Sequence, residues 1–151
     1  MKTSNDKKTV LHLFTEVAIV EHLLRNRYDK ATPAGMTTGQ FGVLTHFIRH
    51  AKSRERLSLL VWAFQDDDAY MAQKVAALVE RDLLTTVPVD GSDSDIWVEI
   101  TDEGRAAHAR AIDEIGPEVA QFIEGIDMGD LETALRVIRD IRRTLDNLPD
   151  R

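Results

Sequence analysis

Met71 to Gly104 reads MAQKVAALVERDLLTTVPVDGSDSDIWVEITDEG. In its first half Met71, Val75, Leu78 and Val79 recur three and four residues apart, the spacing of one buried helix face. The period then changes. Leu84 to Val89 is a short strand-forming run and Asp90-Gly91 a turn pair, after which Ile96, Val98 and Ile100 alternate with Trp97 and Glu99. The stretch is predicted to be a helix feeding a hairpin, with Asp102-Glu103-Gly104 opening another helix.

Working outward, LSLLVWAF (Leu57 to Phe64) is a short apolar helix, and Asp66 to Asp68 place three carboxylates where the next helix begins. Acids there complement the helix dipole. Two short helices followed by a two-stranded hairpin form a winged helix-turn-helix, predicted over about 36–100 with its wing at 87–100. MTTGQFGVLTHFIRHA supplies a preceding helix with Thr37 or Thr38 as N-cap, and Pro33 and Gly35 punctuate the loop before it. Val10, Leu13, Val17, Val20 and Leu24, widened by Leu11, Phe14 and Ala18, predict a long first helix from about Lys8 to about Tyr28. Ile112, Ile115, Val119, Phe122 and Ile126, and then Leu131, Ala134, Ile138, Ile141, Leu145 and Leu148, repeat as 3,4,3,4, the spacing of helices packed side by side. Gly116-Pro117 is expected to kink or re-start the first of these, and Asp127 or Asp130 to cap the second. The fold class is mainly α with a small β-hairpin wing: one winged helix-turn-helix domain over 1–151, with long N- and C-terminal dimerisation helices at about 8–30 and 105–148.

Composition narrows the functions available. The 151 residues suit one domain, and a helical chain of this length can complete its core by forming a homodimer. With 19 basic and 26 acidic residues the net charge is −7, against indiscriminate binding to nucleic acid or an anionic membrane. There is no cysteine, so thiolate metal sites, thiol catalysis and thiol redox sensing are excluded. No apolar run approaches a membrane span, and a soluble, cytoplasmic protein with no membrane partner is expected.

Three segments, MTTGQFGVL (Met36 to Leu44), MAQKVAALVERDLL (Met71 to Leu84) and VEITDEGRAA (Val98 to Ala107), occur in the order and spacing typical of one family. Over essentially its whole length the chain resembles the MarR family of bacterial transcription regulators. The resemblance implies a homodimer whose terminal helices interlock, and recognition helices that enter the major groove of a pseudo-palindromic double-stranded DNA operator. It also implies repression, and release of DNA when a small aromatic effector binds between the dimerisation and DNA-binding parts.

The chemistry of the segment departs from that pattern. From Leu57 to Ile100 there are two basic residues, Lys74 and Arg81, against nine acidic ones, so the whole net charge of −7 lies where phosphate would bind. Counted back from ITDEG, the family's Asp-Arg-Arg wing falls on Ser92, Asp93 and Ser94; its Thr-Arg in the recognition helix falls on Ala72-Gln73, and its helix-end glycine on Asp82, which tolerates a left-handed backbone. Candidate DNA-binding residues are Ala69, Tyr70, Ala72, Gln73, Lys74, Ser92 and Ser94, binding being light if the wing gives little. The alternative is a degenerate MarR-like homodimer that no longer binds DNA and serves as a ligand- or protein-interaction module. Arg49, Lys52, Arg54 and Arg56 read as a solvated basic loop before the short helices.

Other chemistry finds little support. His46 and His50 share a helix face, but HFIRH lacks a zinc protease's Glu and no third ligand follows, so no metal is expected. DGSDSD lacks the glycine and glutamate of a calcium loop. No phosphate loop or nucleophile-base set is evident, so no enzyme and no cofactor are expected. His46, Phe47, Arg49 and Trp62 combine aromatic walls with a cation and are candidate effector-pocket residues, although packing accounts for Phe47 and Trp62 equally well.

Overall fold

Helix α1 (Ser4–Ala31) extends beyond the predicted span at both ends. A capping box explains its start: Thr3 Oγ1 accepts from the Asp6 amide at 3.1 Å, and the Asp6 carboxylate accepts from the Thr3 amide at 3.0 Å. A computed structural model of the chain describes residues 3–149. It divides into two compact units, Met1–Ile115 and Gly116–Arg151.

In the first unit a 3-10 turn at Pro33–Gly35 leads into α2 (Thr38–Arg49). Thr37 caps α2 in a reciprocal box with Gln40. Then follow β1 (Arg54–Arg56), α3 (Leu57–Phe64), α4 (Asp68–Glu80), β2 (Leu84–Pro88), β3 (Ile96–Ile100) and α5 (Asp102–Phe122). Val43, Leu44 and Phe47 of α2, Leu60 of α3, Met71, Val75 and Leu78 of α4, and Val98 of β3 form one buried core, so each short element is held by its apolar face.

The sheet has three strands where two were predicted. Its order is β1-β3-β2, all antiparallel. Arg54 pairs with Glu99, Glu55 with Val98 and Arg56 with Trp97, which makes the expected basic loop a strand over its last three residues. Three residues are too short to show a period, so composition alone read them as loop. Because side chains alternate across a strand, Glu55 and Val98 turn inward while Arg54, Arg56, Trp97 and Glu99 share the outer face.

The wing joins α5 through Thr101. Its hydroxyl donates to the Asp82 carbonyl at 2.7 Å and accepts from the Gly104 amide at 2.9 Å, so one side chain ties the end of α4 to the start of α5. Asp82 adopts φ +58°, the left-handed geometry expected for it. Helix α5 is continuous through Pro117, so no new helix starts at Gly116-Pro117.

In the second unit the end of α5 precedes α6 (Met128–Asp146). Asp127 is the N-cap, accepting from the Gly129 amide at 2.8 Å and the Asp130 amide at 3.2 Å. No described residue of α6 is buried, and Leu135 and Leu145 lie about half exposed within this unit.

Candidate nucleic-acid interface

The exposed face of α4 is set by what the helix buries. With Met71, Lys74, Val75 and Leu78 turned inward, Ala69, Tyr70, Ala72 and Gln73 are left at the surface of its first two turns. Asp67 caps this helix, accepting from the Tyr70 amide at 2.7 Å, so part of the acidic run is a cap as expected.

Lys74 does not accompany the other candidates. It is 6% exposed, its ammonium is paired with Asp66, and it lies 4.5 Å from the centroid of the Tyr70 ring and 5.3 Å from that of Phe64. Gly39 of α2 gives it passage: a Cβ there would stand 3.0 Å from Lys74 Cδ. Arg81, the other cation of the segment, donates to the carbonyls of Gly35 at 3.0 Å and Ala34 at 2.7 Å. Both basic residues of Leu57 to Ile100 are thus engaged inside their own unit. Lys74→Ala is expected to cost about 1–3 kcal/mol, since it leaves the half-sheltered Asp66 carboxylate unpaired. A lower urea midpoint at unchanged slope would show this, and an unchanged midpoint would refute it.

The wing's acids also do structural work. Asp95 accepts from the Ser58 hydroxyl at 2.6 Å and the Ser58 amide at 3.2 Å, capping α3, whose own N-cap residue Arg56 gives no side-chain bond. The Ser58 hydroxyl, helped by the backbone amides of Ser58 and Ile96, holds the Asp95 carboxyl below the usual carboxylate range. Ser92 Oγ accepts from the Asp95 amide at 3.1 Å, which ties this candidate DNA-binding serine to the base of the turn through its acceptor and not its donor. Ser94 and Asp93 are exposed on the turn.

Outside the turn, the outer sheet face carries Arg54 and Arg56 over Trp97, the guanidinium carbons 3.8 and 5.3 Å from the ring centroid. These two residues flank a groove with Val87, Pro88, Val89 and Asp90. The neighbouring Lys52 is turned instead toward the buried Glu55, at 2.7 Å. Burial pushes the Glu55 carboxyl up, but Lys52, together with the Arg56 amide and His46, reverses this and holds it below its ordinary value.

A separate cavity of about 320 Å³ lies among α1, α2 and the first part of α5. Leu24, Tyr28, Pro33, Met36, Phe41 and Ile115 give it apolar walls, with Arg25, Glu21, Thr37 and Thr38 also lining it. The Tyr28 hydroxyl is buried there without a hydrogen-bond partner. Arg25 is bonded to Glu21 at 2.7 Å, which raises its already high pKa. None of the four residues assigned to an effector pocket lines this cavity. Phe47 is wholly buried core, Trp62 is 52% exposed, and Arg49 is exposed at the end of α2. The His46 ring lies 4.7 Å from that of His50, and its Nε2 is 3.7 Å from Glu55. Burial pushes its pKa down, as it does that of His108, which stacks on Phe41 at 4.6 Å. The described residues contain no group of three or more His, Cys, Asp or Glu placed to hold a metal.

Helix, helix and hairpin on one core define a winged helix-turn-helix protein. No protein-family model matches the chain, and no curated protein does. Solved structures do. The transcriptional regulator BldR from Sulfolobus solfataricus superposes with a TM-score of 0.71 at 15% identity, over 95% of this chain and 99% of that one. A MarR-family transcriptional regulator from Rhodococcus sp. RHA1 gives 0.69 at 18% identity, over 96% of each chain. PcaV from Streptomyces coelicolor, in complex with its natural ligand, gives 0.62 at 22% identity, over 87% of this chain and 90% of that one. The fold is therefore that of the MarR-type winged-helix transcriptional regulators. No described helix is long and apolar enough to cross a membrane.

Proposed function

We propose that the protein is a homodimeric, DNA-binding transcriptional regulator, a repressor whose hold on its pseudo-palindromic operator is light, and not an enzyme. The observation that carries this reading is the free face of α4, on which Tyr70 and Gln73 stand exposed while the opposite face is locked into the core. A glutamine there can pair bidentately with adenine in the major groove. Transcriptional regulators that share the fold over nearly their whole length support the assignment. The apolar cavity with its buried, unpartnered Tyr28 hydroxyl suits a small aromatic effector, which the hydroxyl would orient by one hydrogen bond. The PcaV complex supports a ligand-responsive reading by analogy.

Binding of 30-bp duplexes, chosen by repeated selection from a random pool, tests the proposal across a series of salt concentrations. Gln73→Ala is expected to erase preference at one base position per half-site, a loss of about 1–3 kcal/mol of discrimination. Asp93→Arg with Ser94→Arg adds cations to the turn and is expected to tighten binding to all duplexes alike, because phosphate contacts carry no base information. No binding by the wild type at 50 mM salt, nor by the arginine variant, would favour the interaction-module alternative, which the engagement of Lys74 and Arg81 within their own unit supports.

A further inference from the structure

We propose that Arg54 and Arg56, on the outer face of the sheet, grip the DNA phosphates in place of arginines at the wing tip. This rests on the DNA-binding reading and assigns it residues that the turn and the recognition helix do not supply. Of the four cations between Arg54 and Ile100, Lys74 is paired in the interior and Arg81 is tied to two backbone carbonyls. Arg54 and Arg56 are exposed.

Their environment favours an anion. A guanidinium stacked on an indole uses its flat face, so its N–H donors remain around the rim, and the stacking holds a fork that would otherwise be mobile. Arg54 lies over Trp97 at stacking distance and Arg56 farther out, within cation–π range, and strand pairing fixes all three on one face, Arg56 directly opposite Trp97. Glu99 approaches Arg54 only to 3.8 Å, with both side chains more than a third exposed, so the pair is weak and open to exchange for phosphate. Asp90 also lines the groove and opposes an anion at that end. Arg56 is moreover the residue from which α3 starts, and Asp95 ties the turn's base to that same helix start. Cations, wing and helix-turn-helix are thus mechanically one piece. A nucleic-acid backbone fits this face because it offers a row of phosphates to two neighbouring guanidiniums held on one sheet.

The test uses the full chain and the selected duplexes. Arg54→Gln with Arg56→Gln is expected to weaken every duplex at least tenfold at 50 mM salt. It should also flatten the slope of log affinity against log salt by about 0.9 per phosphate released, roughly 3–4 units for a dimer. Arg54→Lys with Arg56→Lys keeps the charge but loses the fork, and should retain the slope while losing part of the affinity. In a Trp62→Phe background, Trp97 is the sole tryptophan, and its emission should change when duplex is added. A glutamine variant with wild-type affinity and slope overturns the inference and leaves the DNA-binding reading intact. Competition by polyglutamate as strong as by duplex overturns it in favour of an acidic protein partner. Absence of duplex binding by the wild type removes the function and this inference together.

Discussion

Gly104→Ala is expected to unfold the winged unit, or to lower its midpoint of thermal unfolding by roughly 10–20 °C. A Cβ built on Gly104 would stand 2.2 Å from the Leu83 carbonyl oxygen and 3.0 Å from Ile100 Cγ1. The first contact is with backbone, so no rotamer change relieves it. Relief requires α5 to move away from the junction of α4 and β2, which would pull the Gly104 amide from Thr101 Oγ1 and Thr101 from the carbonyls of Asp82 and Leu83. Overpacking of this kind, with a broken cap, costs on the order of 3 kcal/mol or more, and about 4–8 °C follows each kcal/mol in a domain near 100 residues. Gly42→Ala provides the comparison. A Cβ there would meet only Phe64 Cε1 at an ordinary 3.6 Å, within a helix where alanine is favoured by about 0.5–1 kcal/mol. It should leave the midpoint unchanged or raise it slightly. Calorimetry of both variants checks the pair, and a Gly104→Ala protein melting with the wild type would show that α5 is free to shift.

The glycine belongs to a segment whose order and spacing are legible in the sequence, for a physical reason. ITDEG reads plainly because the Thr101 cap on the Gly104 amide acts across three positions, and Asp82 before it adopts a backbone geometry that few residue types favour. The core faces of α2 and α4 were legible for a similar reason, since helical periodicity declares which side is buried. What escaped were pairings across the chain. Ser58 and Asp95 lie 37 positions apart, and nothing in DGSDSD marks its last aspartate as the cap of α3. Lys74 reads as a DNA contact in the sequence because a lysine on a short surface helix is usually solvated. Its withdrawal needs Gly39, Asp66, Phe64 and Tyr70 together, from three separate stretches of sequence. β1 escaped because its strand character comes wholly from its partner β3. The acidity of Leu57 to Ile100 is in part the trace of such contacts: Asp66, Asp67 and Asp95 each hold an element in place.

Val20→Asp is expected to leave aggregated or largely unfolded protein, although in the single chain Val20 is 53% exposed and touches no core. The reason is one side of α1, on which Val17, Val20, Leu23 and Leu24 lie 37–61% exposed. No residue of this 28-residue helix is buried within its own chain. Helices in proteins draw most of their stability from packing, so a second copy of the chain is the occupant proposed for this side. Specific dimers bury about 1,200–2,000 Å² in all, and a carboxylate placed centrally in such an interface would be desolvated in both subunits at once. Val87→Asp separates this effect from a mere charge on an exposed valine. Val87 is 44% exposed, but on the outer sheet face, so its replacement should leave the sedimentation coefficient and the thermal midpoint within error of the wild type. The wild type should sediment as a dimer down to micromolar concentrations. A folded wild-type monomer there, or a Val20→Asp protein as stable as the Val87→Asp protein, would leave α1 without its proposed partner.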